Sequence, residues 1–308
     1  MQQQILSFAI FIVTAGAVAA VARAQAPAAK PFVPPVAREL AEFRAAHPTH
    51  LTRHGPPPEA WQDPMPLKLP AGVKEVTYES DGLKLKAWLS EIPNDGKLRP
   101  AVVFCHGGFW FGNEDWDVLR PFLEAGYVAM APRVRGENGN PGDFEYYYGE
   151  VDDVVAAGKF LAAQKGVDPK RVFVSGHCAG GDLATLAAML PSPFAMSAPI
   201  GATLDMRIMS RAPDPQHKAL VVFDPNDPNE VEARCAMLFT ASLKCPIALF
   251  HGDKDWGDKL QRQFVLLAHH FKKDATLTVV PGNHGESLPN AIPGIIKLFD
   301  AYQPPESR

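Results

Sequence analysis

The stretch that most constrains the fold is residues 171–190, RVFVSGHCAGGDLATLAAML. It opens on a β-branched apolar run, 172–174. It then turns through Gly176-His177-Cys178-Ala179-Gly180-Gly181 and continues as an Ala- and Leu-rich segment. The first part has the composition of a buried strand and the last that of a helix. Strand and helix therefore meet within one residue. That junction forces a strained backbone on its central residue and leaves no room for neighbouring side chains, the role read for Gly176 and Gly180. The pattern is the nucleophile elbow G-x-S-x-G with Cys178 in place of serine. Such a turn aims the sulfur outward at the N-terminus of the next helix, whose dipole favours thiolate over thiol. The alternative is a buried free cysteine in a glycine-rich turn, so the choice rests on the rest of the chain.

From residue 73 the chain alternates strand and helix patterns. Segments 73–79 and 83–92 alternate apolar and polar residues around Asp81-Gly82, a hairpin signal. Short apolar runs at 101–105, 128–131, 172–175, 195–200, 247–250 and 277–280 predict further strands. Helical patterns at 116–125, 150–164, 182–190, 259–271 and 288–302 separate most of them. The expected architecture is α/β: a mostly parallel sheet of about eight strands, the first pair antiparallel, with helices on both faces. This domain runs over 71–308. Before it, residues 25–70 hold 11 of the 30 prolines. They read as an extended lead-in that builds little core. Within it, Val36, Leu40 and Phe43 mark one short docking helix. The segment 203–229, with Pro213, Pro215, Pro225 and Pro228, reads as a loop placed where a lid shapes a pocket.

Ligands of such sheets bind at the carboxyl ends of the strands. His106-Gly107-Gly108-Phe109-Trp110 follows the third strand. A loop of this type presents backbone N–H groups to a developing oxyanion, here at Gly108 and Phe109, with Ala179 N–H completing the hole. His251-Gly252-Asp253-Lys254-Asp255 follows the seventh strand and Pro281-Gly282-Asn283-His284-Gly285 the last. The order is nucleophile, acid, histidine. His284 is the expected base for Cys178. Asp255 orients His284, with Asp253 and Asp258 as competing carboxylates. Trp110, Phe111 and Trp256 are candidate walls of an acyl pocket, or plugs of the core. Glu150, Asp152 and Asp153 read as a charged helix start, and His269 and His270 as solvent-facing.

With a net charge of −4 there is no basic face for nucleic acid. The glycines at 176, 180 and 181 do not space as a dinucleotide fingerprint, and no cluster has metal-ligand spacing, so no cofactor or metal is expected. Residues 5–21 are apolar and end in Ala22-Arg23-Ala24, an A-x-A site. Residues 1–24 read as a secretory signal cleaved after Ala24, giving a secreted or periplasmic protein with no membrane partner after cleavage; an uncleaved anchor is the alternative. Export permits a disulfide, for which Cys235 and Cys245 are the candidate pair and a free thiol at Cys245 the alternative.

The segments GYVAMAPRVRGENG, GEVDDVVAAGKFLAAQKGVDPKRVFVSGHCAGG and CPIALFHGDKD resemble the catalytic domain of the prolyl oligopeptidase family, over residues 72–304. The resemblance implies an α/β-hydrolase fold. Those peptidases use serine where this chain has Cys178; a cysteine there resembles dienelactone hydrolase, with its Cys-His-Asp triad. The 46 residues from 25 to 70 are too few for the β-propeller that gates the oligopeptidases. The expected function is hydrolysis of a small carboxylic ester, lactone or thioester. The alternatives are a peptidase for short peptides and a non-catalytic relative with a binding role.

Overall fold

The computed structural model describes residues 36–304, so the signal sequence read at 1–24 lies outside the described residues. Two antiparallel strands begin the sheet, β1 (Val73–Ser80) and β2 (Leu83–Ser90), in register from Val73↔Ser90 to Ser80↔Leu83. Their two-residue turn has positive φ at both Asp81 (48°) and Gly82 (77°), the geometry that matches strand twist. Six more strands follow: β3 (Arg99–Cys105), β4 (Val128–Pro132), β5 (Val167–His177), β6 (Ser197–Ile200), β7 (Ile247–Gly252) and β8 (Ala275–Val280). The sheet order is β1-β2-β4-β3-β5-β6-β7-β8, and every pair from β4 to β8 is parallel. The eight-stranded α/β-hydrolase architecture expected from the sequence is therefore present.

Helices cover both faces because the central strands are apolar on both faces; β4 and β7 are buried throughout. One face carries α3 (Gly149–Ala162), α4 (Ala179–Ala187) and α8 (Asp258–His270). The other carries α2 (Arg120–Glu124) and α9 (His284–Ala301), whose Phe299 stacks on Phe173 of β5 at 4.2 Å. The helix expected over 116–125 is divided. A 3-10 turn, Asn113–Leu119, precedes α2, because Pro121 in the first turn of α2 has no N–H to continue an earlier helix. Helix α9 starts four residues before the expected 288, since Asn283 and Glu286 form a reciprocal cap.

Two expectations are corrected here. The described lead-in contributes to the core: Leu40 of α1 (Leu40–Ala46) is fully buried, and the lead-in belongs to the same compact unit, Val36–Arg308. Leu51 bridges Phe223, and Thr52 N–H donates to Val222 O at 2.7 Å. The segment 203–229 is not a plain loop either. It holds α5 (Met206–Met209) and α6 (Pro215–Leu220) and leads into α7 (Pro228–Glu232). Asp214 and Asp227 accept N–H bonds from their helices, and the proline after each starts the helix instead of breaking it. All four cysteines are free thiols, so the Cys235–Cys245 pairing is absent. Among the described residues no helix is long and apolar enough to cross a membrane.

Candidate functional site

Cys178 links β5 to α4 with φ 57° and ψ −119°, a conformation that costs a non-glycine residue about 1–3 kcal/mol. Its N–H donates to Ile200 O at 3.0 Å, and its carbonyl accepts from Gly181 and Asp182 at 2.9 and 3.1 Å. The flanking glycines are obligatory on steric grounds. A Cβ at Gly176 would strike the Gly180 carbonyl, and one at Gly180 would strike the Cys105 and His106 carbonyls. Those are backbone atoms, which cannot swing aside.

The loop after β3 lies against this turn: a Cβ on Gly107 would sit 3.8 Å from Cys178 Cβ. Gly108 takes φ 69°, which turns the chain there. Beneath it, His106 Nδ1 faces Gly107 O at 2.9 Å and Nε2 faces Glu137 Oε2 at 3.1 Å. Both partners only accept, so both ring nitrogens donate and the ring is an imidazolium. Burial opposes that charge, but the Glu137 carboxylate outweighs burial and lifts His106 to about 10. His106 and Glu137 therefore form a buried ion pair at the start of the loop after β3. Ala179 opens α4, where first-turn N–H groups have no partner within the helix.

His284, at the start of α9, meets Asp255 from the loop after β7: Nδ1 to Oδ2 is 2.8 Å. The Asp255 side chain is 2% exposed, and its Oδ1 accepts from Trp256 N–H at 2.8 Å. Nε2 is thus the nitrogen left for the Cys178 sulfur. The neighbouring Cys178 first, then the bond to Asp255, raises His284 to about 9 against the opposition of burial. The two competing carboxylates are engaged elsewhere. Asp253 accepts from Gly282 N–H at 2.7 Å, and Asp258 pairs with Arg262 at 3.0 Å. Gly201, at the end of β6, makes room for the pair: a Cβ there would lie 3.0 Å from His284 Cε1 and 3.3 Å from Asp255 Oδ2. His177 donates Nε2–H to His284 O at 2.9 Å; burial, then the charge of His284, holds it neutral.

Residues 102–293 match the alpha/beta hydrolase family. The chain belongs to this family. A relative in Bacillus subtilis (strain 168), an uncharacterized peptidase named YtmA, is 24% identical over 208 residues, 62% of this chain and 76% of its own. The fold is similar to a puromycin-hydrolyzing peptidase of Mycobacterium tuberculosis, with TM-score 0.65 and 19% identity over 74% of this chain. The chain spans only 39% of that peptidase. It is also similar to a Pyrobaculum calidifontis esterase, with TM-score 0.61 and 19% identity, covering 77% of this chain and 86% of the esterase.

The candidate pocket residues separate in this alpha/beta hydrolase. Phe111 is corrected from pocket wall to core: it is fully buried, edge-on to Trp88 at 5.0 Å. Two positions beyond Phe109, it joins the core cluster that holds Trp88, Trp116 and Phe299. Trp110 is half-buried and Trp256 is 51% exposed beside Asp255. The sequence reading missed Tyr146 and Tyr147, which pack on Phe109 at 5.3 and 5.9 Å between ring centroids. The charged start of α3 is where it was expected, but the burial of two of its carboxylates was not read. Asp153 is fully buried and grips Arg135 through two oxygens, at 2.7 and 3.0 Å. Glu150 is buried and accepts N–H bonds from Glu145, Tyr146 and Tyr148. Asp182 of α4 ties down the chain after β6 by accepting from Thr203 and Leu204 N–H. Burial pushes its carboxyl up to about 6. None of these carboxylates stands out in a sequence with 34 acidic residues.

Proposed function

We propose that the protein hydrolyses carboxylic esters, lactones or thioesters through a Cys178 thioester. The observation that carries this reading is the 2.8 Å Asp255–His284 bond beside the elbow, where His177, the residue before Cys178, has its ring 4.6 Å from that of His284. The thiolate attacks the carbonyl carbon and the carbonyl oxygen takes the charge, facing Gly108, Phe109 and Ala179 N–H. The intermediate collapses, the C–O bond breaks, and His284 Nε2–H protonates the departing alkoxide. The sulfur is now a neutral thioester and His284, having given up its proton, is the neutral imidazole that can accept one from water. Water gives His284 a proton and attacks the thioester, and the carboxylic acid leaves with the thiolate regenerated. Asp255 holds the tautomer throughout.

Ester-type substrates are favoured over amides by leaving-group chemistry. A tetrahedral intermediate on sulfur expels thiolate more readily than an unprotonated amine, whereas alkoxide competes well. A peptidase or a purely binding role are the competing readings; retention of the aligned Asp255–His284 pair speaks against the second. The deciding experiment is intact-protein mass spectrometry after mixing with p-nitrophenyl acetate. One acetyl group on Cys178, absent from Cys178→Ala, is expected; an adduct at any other residue, or none, rejects the reading. Export is proposed with it, on the apolar run at 5–21 and the A-x-A site. Cell fractionation tests it: a mature chain beginning at Gln25 outside the cytoplasm is expected.

A further inference from the structure

His251 of β7 is a buried titratable group that the proposed steps leave unused. It is 2% exposed, and neither ring nitrogen has a hydrogen-bond partner among the described residues. Its Nδ1 lies 3.9 Å from Asp255 Oδ2. That distance is too long for a hydrogen bond, and a shift of about 1 Å makes it one. Asp255 Oδ2 therefore faces two imidazoles, His284 Nδ1 at 2.8 Å and His251 Nδ1 at 3.9 Å, while Oδ1 accepts from Trp256 N–H. A carboxylate only accepts, so a proton on His251 Nδ1 is the one that serves it.

The surroundings of His251 are polar where a core is ordinarily apolar. Strand alternation turns it to the same side as Leu249, which shares a core cluster with Phe264 and Ala268 of α8. Gln261 lies on the same buried stripe of α8 and donates Nε2–H to Ala202 O. Its Oε1 has no partner among the described residues. Unpaired polar atoms in a packed interface cost stability, and an apolar ring in place of His251 would remove two of them. Such a departure from a satisfied core, beside the carboxylate that orients His284, points to function.

Charge says which step needs it. While His284 is an imidazolium, it compensates the buried Asp255 carboxylate. In the acyl-enzyme His284 is neutral, and the carboxylate keeps its charge with less support. We infer that His251 is a positioning residue for the second half of the reaction. Its Nδ1–H closes on Asp255 Oδ2 in the acyl-enzyme and holds that oxygen on His284 Nδ1–H while His284 Nε2 takes the proton of water. This rests on the proposed thioester chemistry. His251 exchanges no proton and touches no substrate.

Two variants of the full chain test it with p-nitrophenyl acetate. His251→Phe keeps a ring and removes both nitrogens; His251→Asn keeps a donor near the place of Nδ1. In His251→Phe, kcat falls about 10-fold and KM falls with it, so kcat/KM stays within about twofold. Acetyl-Cys178 builds up in intact-protein mass spectra during turnover. The urea midpoint holds or rises, because two unpaired polar atoms are gone. His251→Asn recovers most of kcat at a lower midpoint, since the smaller side chain leaves space. Turnover and stability thus rank the two variants in opposite orders, which a purely structural histidine would not do. An unchanged kcat in His251→Phe overturns the inference. So does a loss of kcat with a lowered midpoint that His251→Asn shares in full. No acetyl adduct on wild-type Cys178 defeats the thioester reading itself; an adduct that wild type and His251→Phe lose at equal rates defeats only the role of His251.

Discussion

Two strained turns of the molecule, at Cys178 and at Tyr146–Tyr147, are built by opposite means. At the elbow, strain on Cys178 is accommodated by missing atoms: Gly176 and Gly180 leave space that backbone carbonyls occupy. At the tyrosine turn, strain on Tyr146 and Tyr147 is enforced by added charge: Glu150 gathers three N–H groups, and Arg135 spans Asp153, Glu145 and Asp81. A turn made by steric exclusion has no charge to titrate. A turn made by buried carboxylates depends on each one's protonation and partner.

Removing the charge from the tyrosine turn should have the larger effect. Arg135→Met leaves the fully buried Asp153 without its cation and should cost about 3–5 kcal/mol in urea unfolding. Ester turnover falls with it, while alkylation of Cys178 by iodoacetamide persists in the folded fraction. An effect under 1 kcal/mol would show that the turn stands without its charges. Next comes the elbow. Gly180→Ala drives a Cβ into the Cys105 and His106 carbonyls and should cost about 3 kcal/mol, the upper end of overpacking. The steric part of that loss does not depend on pH, because the atoms that clash are backbone carbonyls.

The smallest effect is a slope with pH. Burial, then the charge of Glu145, raises the Glu150 carboxyl from 4.5 to about 7. A folded-state value above the unfolded one means that its contribution is fully present below about pH 4.5 and is lost as pH rises through about 7. The N–H bonds are already part of that value, so a fall of about 2 kcal/mol between pH 5 and 8 is expected. Glu150→Gln should flatten the slope, read by urea unfolding at the two pH values. An unchanged slope would remove Glu150 as its source.

The alternation of strand and helix was legible because apolar periodicity is local. The site glycines were legible for a related reason: a G-x-C-x-G junction has few conformations. Phe111 was not legible, because Phe109, Trp110 and Phe111 differ only in which way the loop turns each side chain. Nor were Tyr146 and Tyr147, since tyrosine carries no sequence mark of positive φ; only the Glu150 hydrogen bonds impose it. The helices Pro215–Leu220 and Pro228–Glu232 were hidden because proline reads as a breaker unless the aspartate before it is seen capping.

By itself the sequence determined the architecture, the elbow and the order of Cys178, Asp255 and His284, because periodicity, steric need for glycine and strand-end placement are written in adjacent residues. The tertiary structure alone decided which of three nearby aspartates meets His284. It alone decided that the lead-in joins the core and that Tyr146 faces the oxyanion loop. Those outcomes depend on contacts between segments far apart in the chain, where burial and the satisfaction of charges select one arrangement from many.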